Sequence, residues 1–252
     1  MYDLLKVTML GLFFGTFGTT LGGIIGVRFQ NPSNKILSFI LSLAGGLMTS
    51  ILSFDLIPEA LKIASITNVI LGIALGIFCM IVCNYLVDKK FTENSQMLRS
   101  IKEENKKDLL RAGIVTSIGL AIHNFPEGLA IGSGFGASLT LGYSLAIAIC
   151  IHDIPEGISM AVPMKNGGMK TSKVLYYVII SGVTTGIGAL IGKIIGEISQ
   201  DVIAVCLSFA AGAMLYIVSG ELIPESNKIY EGKASTIGTI IGFILGLIAV
   251  NI

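Results

Sequence analysis

The sequence predicts an all-α membrane protein: eight transmembrane helices in a 3+2+3 arrangement, with helices 1–3 and 6–8 forming an inverted repeat around helices 4 and 5. Three observations carry this expectation. Of the 252 residues, 53% are hydrophobic and only 13% charged, with a mean hydropathy of +0.83. A soluble domain carries about 25% charged residues, so this chain lacks the polar surface to cover itself in water. Its apolar residues fall into eight runs near the roughly 20 residues that a spanning helix needs. The chain also repeats itself at one fixed offset across three of those runs.

The first run, Leu4–Val27, lacks the basic, apolar and small-residue order of a cleaved signal and reads as a retained helix. Ile36–Ile57 and Ile66–Val87 follow after short connections. Residues 88–111 are polar, mixed in charge and free of apolar periodicity, and are expected to form a mobile cytoplasmic loop. Ala112–Gly132 and Leu139–Val162 hold the chain's two histidines, and Val174–Ile198, Val202–Ile223 and Ala234–Val250 complete the set. The 31 glycines suit helices that pack closely in lipid. The whole of 1–252 reads as a single transmembrane domain. The four cysteines lie in apolar runs without a Cys-x-x-Cys pair and read as reduced packing residues.

Orientation follows from the basic residues. With the N-terminus outside, three of the 17 lysines and arginines (Lys6, Lys62 and Lys193) fall in outer segments and the other 14 fall in inner ones. That split predicts both termini outside, the long connection inside, and a multi-pass protein of the plasma membrane. No basic stripe with interleaved aromatics is present, so the lipid bilayer and not nucleic acid is the expected partner.

Shifting the first three helices by 166 positions lays them on the last three. Met48 falls on Met214, Asp55 on Glu221, Pro58 on Pro224, Glu59 on Glu225 and Gly22 on Gly188. Helices one and six are an odd number of spans apart, so the copies run in opposite directions. Inverted repeats of this kind build secondary transporters, with substrate near the midplane between the copies.

Helices four and five lie between the copies and carry His123-Asn124-Phe125-Pro126-Glu127-Gly128 and His152-Asp153-Ile154-Pro155-Glu156-Gly157. Ionisable groups at membrane depth are expensive and mark function. Residues i and i+4 share a helix face, so His123 with Glu127, and His152 with Glu156, are expected to converge on one cation. Pro126 and Pro155 supply no N–H to the carbonyls of Ile122 and Ile151, which are expected to become extra oxygen ligands or seats for water, with a bend in each helix. Imidazoles with carboxylates suit Zn²⁺, Fe²⁺, Co²⁺ or Mn²⁺. Asn124 and Asp153, about 100° round each helix, are placed for a second ion sharing Glu127 or Glu156. Their alternative is a helix–helix hydrogen bond or support of a ligating histidine.

These motifs and the eight helices resemble the ZIP (Zrt/Irt-like) family of metal transporters over essentially the whole chain. The resemblance implies Zn²⁺ uptake into the cytoplasm, with Fe²⁺, Mn²⁺ and Cd²⁺ as further substrates, by an alternating-access or elevator-like motion. It implies a binuclear site: His123, Glu127, His152 and Glu156 for one ion, and Asn124, Asp153 and the shared glutamates for the other. Met48 resembles a helix-two methionine beside the first ion, with packing as its alternative. Homodimers are implied too, although eight helices suffice for a lone unit. Several bacterial members carry Glu-Pro on helix six where this chain has Thr185-Gly186, which implies a weak or regulatory second site.

Asp55 with Glu59, and Glu221 with Glu225, are expected to end helices two and seven and read either as cation entrance and exit or as interfacial solvation. Glu197 and Asp201 read as solvated loop residues. An intramembrane metalloenzyme would need three protein ligands, a bound water and a general base. No His-Glu-x-x-His run is present, so a non-enzymatic transporter is the leading expectation. A sensor without flux has no use for two-sided repeats.

Overall fold

The computed structural model describes residues 4–29, 32–95 and 104–250. Among the described residues, eight helices follow one another: α1 (Leu4–Arg28), α2 (Asn34–Ile63), α3 (Ile66–Ser95), α4 (Glu104–Ala137), α5 (Leu139–Asn166), α6 (Thr171–Gly196), α7 (Gln200–Ile229) and α8 (Ala234–Val250). The described residues contain no strand. Seven of the helices are long and apolar enough to cross a membrane, while α8 is apolar but only 17 residues long.

Several helix ends differ from the sequence expectation. Helical backbone enters the stretch 88–111 from both sides, reaching Ser95 and resuming at Glu104. Lysine and glutamate are good helix formers, and extending a helix is far easier than nucleating one. Residues 96–103, the rest of that stretch, lie outside the described residues. Helices α2 and α7 also run past Ile57 and Ile223, to Ile63 and Ile229, so their acidic pairs do not end them. Each contains a π-helical turn, Leu52–Leu56 and Val218–Leu222, in which Ile57 N–H bonds Leu52 O and Ile223 N–H bonds Val218 O. Pro58 and Pro224 follow at once and have no N–H to give. The widened turn absorbs that loss and lets the helix continue.

The offset of 166 holds for local structure as it does for sequence. Asn34–Ile51, Leu52–Leu56 and Ile57–Ile63 map residue for residue onto Gln200–Ile217, Val218–Leu222 and Ile223–Ile229. Packing respects the same exchange. Helix α1 packs on α5 as α6 packs on α4, α2 on α8 as α7 on α3, and α2 on α5 as α7 on α4.

Glycines set the closest approaches. Gly22 of α1 lies against the Ile154 carbonyl and Gly157 of α5 against the Thr19 carbonyl. Their counterparts, Gly188 and Gly128, lie against the carbonyls of Phe125 and Thr185. The apolar core runs along α2, α5 and α7 through Met48, Ile51, Leu145, Ile149, Leu207 and Met214. In α5, 78% of the apolar window is buried, against 22% in α3, so α5 is central and α3 peripheral. Large side chains such as Leu71 and Phe78 on α3, and Ile240 and Ile244 on α8, face outward, as lipid-facing residues do.

Candidate metal centre

A single residue, Ser138, joins α4 to α5, and its hydroxyl caps α5 by accepting from Leu141 N–H at 3.1 Å. So tight a connection makes the two helices antiparallel neighbours. His123 lies 14 residues before Ala137, and His152 lies 13 residues after Leu139. At 1.5 Å per residue both motifs therefore sit roughly 20 Å from the turn, at one depth.

The side chains converge there. His123 Nε2 is 3.0 Å from Glu127 Oε1 and 3.2 Å from Glu156 Oε1. His152 Nε2 is 2.6 Å from Glu127 Oε1 and 4.0 Å from Glu156 Oε1. One ligand atom from each of the four residues lies within 4.8 Å of all the others. All four residues are at most 1% exposed. His152 lies closer to Glu127 across the helices than to Glu156 on its own, and His123 lies nearly as close to Glu156 as to Glu127, so neither motif acts alone.

The second carboxylate oxygens, Glu127 Oε2 and Glu156 Oε2, have no hydrogen-bond partner. Leaving a buried acceptor unsatisfied costs about 1–3 kcal/mol, more for a charged group, and a divalent cation among these atoms offsets that cost. His152 Nδ1 lies 3.3 Å from the Ala148 carbonyl. A proton held there leaves Nε2 as the ligand atom.

Asp153 and Asn124 flank the group in different ways. Asp153 Oδ1 is 3.5 Å from His152 Nε2, and neither of its oxygens has a hydrogen-bond partner. Asn124 Nδ2 donates to Ser181 O at 3.0 Å and to Ser181 Oγ at 3.2 Å, while its Oδ1 is buried and unpartnered. Met48 is fully buried in the apolar core, on α2. Thr185 leaves its buried Oγ1 without a partner. Pro126 and Pro155 lie inside continuous helices.

The flanking acids are more engaged than bare solvation predicts. Ser144 Oγ of α5 donates to Asp55 Oδ2 at 3.1 Å, and Asn84 Nδ2 of α3 donates to Glu221 Oε1. Glu59 pairs with Lys62 at 2.8 Å and Glu225 with Lys228 at 3.7 Å. Glu197 forms an ion pair with Lys193, only 3% exposed, at 3.2 Å. Asp201 is helical rather than looped, in the first turn of α7, where the N-terminal partial positive charge favours an acid. Ser181 and Thr184 were not singled out from the sequence, and Lys193 entered only as an outer basic residue.

The chain is similar to known proteins. The family model described as "ZIP Zinc transporter" matches residues 88–249. The chain is 33% identical to the zinc transporter ZupT of Akkermansia muciniphila, over 96% of this chain and 93% of that protein. It is 37% identical to the zinc transporter GufA of Myxococcus xanthus over 52% of each. It is 42% identical to the zinc transporter ZIP11 of Xenopus tropicalis over 51% of this chain and 40% of that protein.

Proposed function

The chain belongs to the ZIP zinc transporter family, and from that membership we propose that it carries Zn²⁺ across the plasma membrane into the cytoplasm. The observation that carries this reading is the convergence of His123, Glu127, His152 and Glu156 in a site closed to solvent, with two carboxylate oxygens unpartnered. Two imidazoles and two carboxylates suit a borderline cation, so Fe²⁺, Mn²⁺, Co²⁺ and Cd²⁺ enter as competing substrates. No thiolate holds the ion, which favours its release. The chain's relatives are named as transporters, not enzymes.

We assign the architecture as eight spans in a 3+2+3 order, an inverted repeat with both termini outside and the 88–111 connection in the cytoplasm. The matching π-turns, the exchange-symmetric packing and the bias of basic residues support that assignment. Alternation between two equivalent arrangements then opens one buried site to each side in turn. Asn124 and Asp153, sharing Glu127 or Glu156, take a second ion. Thr185 in place of an acid keeps that ion weakly bound, and Met48 lies beside the first ion. Two copies assemble as a homodimer.

The test is uptake by proteoliposomes under an inward Zn²⁺ gradient, with Fe²⁺, Mn²⁺ and Cd²⁺ as competitors. Saturable Zn²⁺ entry that the other cations inhibit supports the reading. A membrane-inserted protein that admits no divalent cation refutes it.

A further inference from the structure

The exchange of α1 for α6 and of α4 for α5 breaks down beside the metal centre. On α6, Ser181 and Thr184 address the ligand helix α4. Asn124 Nδ2 donates to the carbonyl and the hydroxyl of Ser181 at 3.0 and 3.2 Å. Thr184 Oγ1 lies 2.7 Å from the Ala121 carbonyl and 2.6 Å from the Ser181 carbonyl, so its one proton serves either. At the offset of 166, the counterparts of these residues on α1 are Gly15 and Gly18. Neither has a side chain to offer. Gly18 lies against the Cys150 carbonyl, and a Cβ there would come within 2.7 Å of Asp153 Cβ. Asp153, the counterpart of Asn124, is left with both oxygens unpartnered. One half of the centre is therefore bonded to its neighbour, and the other rests on bare backbone contact.

Two consequences follow from the chemistry. A backbone carbonyl can only accept, so the amide NH₂ of Asn124 must face Ser181, and Oδ1 is turned away from it. That oxygen is buried and unpartnered, and so available to a cation. The brace also falls where Pro126 withholds an N–H from the Ile122 carbonyl, the weakest turn of α4. Ser181 and Thr184 hold from outside a turn that the helix holds incompletely itself.

We propose that Ser181 and Thr184 are positioning residues for the metal centre. They fix the orientation of the Asn124 amide and the register of His123, while Gly15 and Gly18 leave the His152–Asp153 half free to adjust to the ion. The inference rests on the metal-transport reading above.

The test measures Zn²⁺ binding by the purified full-length protein, through competition with a chelator, and KM and Vmax for uptake. Loss of a group that orients a ligand costs 10- to 100-fold in affinity, so Thr184→Val raises Kd and KM about 10-fold with Vmax held within about twofold. Thr184→Ser, which keeps the hydroxyl, restores both. Ser181→Ala removes one of two acceptors and raises Kd about threefold. Thr239→Val on α8, whose hydroxyl bonds only the Ser235 carbonyl of its own helix, leaves Kd unchanged.

Wild-type affinity in Thr184→Val overturns the proposal, and so does a Thr184→Ser protein as weak as Thr184→Val. Should Thr184→Val fail to insert, an unchanged Kd in Ser181→Ala overturns it equally. Wild-type protein that binds Zn²⁺ without transporting it refutes the transport reading, and the binding comparison still decides this one.

Discussion

Helix α4 contains two glycines that respond oppositely to the same substitution. A Cβ on Gly128 would sit 2.7 Å from the Thr185 carbonyl carbon and 2.9 Å from the Ala189 nitrogen, and would press on the Thr185 oxygen. A Cβ on Gly119 meets nothing within 4 Å. Alanine is favoured over glycine inside a helix by about 1 kcal/mol at either position. Gly119→Ala keeps that gain. At Gly128 the obstacles are backbone atoms, and unstrained carbon contacts lie at about 3.5–4.0 Å, so α4 and α6 must part by roughly 1 Å. Overpacking of this kind costs about 1–3 kcal/mol and cancels or reverses the helix gain. Glu127 is the adjacent residue, and metal–ligand distances tolerate only about 0.2 Å. Gly128→Ala therefore loses Zn²⁺ affinity by at least about 10-fold, in the range seen when ligand orientation is disturbed. Thermal unfolding in detergent, with and without Zn²⁺, reads both effects. Wild-type protein and Gly119→Ala gain stability from Zn²⁺, and Gly128→Ala gains much less. If both variants match in stability and in Zn²⁺ response, the close approach of α4 to α6 is not what positions Glu127.

Other perturbations probe the centre itself. His123→Ala removes a ligand and lowers Zn²⁺ uptake by more than about 10-fold while membrane insertion, followed by yield and gel filtration, is preserved; uptake at the wild-type level contradicts the assignment. Asp153→Ala changes metal preference or rate without abolishing binding, and a loss equal to that of His123→Ala contradicts separate roles for the two residues. Protons compete with the cation for imidazoles whose ordinary pKa is about 6.5, so Zn²⁺ binding weakens as pH falls from about 7.5 to about 5. A flat binding curve over that interval contradicts imidazole ligation.

Much of this arrangement was legible because two patterns each pointed to one answer. His-x-x-Pro-Glu-Gly occurs twice around the chain's two histidines. Helical spacing then left His123, Glu127, His152 and Glu156 facing one point, and the structure brings them within 4.8 Å. The 166-residue offset read from Met48, Asp55 and Pro58 recurs as residue-for-residue matching of the π-turns. Span ends were less legible. A proline after acidic residues signals a stop at Asp55 and Glu221, and only the backbone shows that a π-turn lets each helix pass through. The hydrogen bonds of Ser181 and Thr184 were missed for a related reason. Serine and threonine inside helices commonly bond their own i−4 carbonyl, so neither residue is conspicuous alone. A signal did exist: laying α6 on α1 sets Ser181 and Thr184 against Gly15 and Gly18, a polar-for-glycine exchange beside the histidine motifs. Lys193 reads as a loop-end charge, and only the packing of α6 shows it buried against Glu197.

The most direct test is X-ray absorption at the zinc edge, together with anomalous diffraction, on Zn²⁺-loaded protein. Bound zinc should show nitrogen and oxygen neighbours at about 2.0–2.2 Å and no sulfur shell near about 2.3 Å, with an anomalous peak between His123, Glu127, His152 and Glu156. A peak elsewhere, a sulfur-dominated shell, or no zinc between α4 and α5 at saturating concentration contradicts the account.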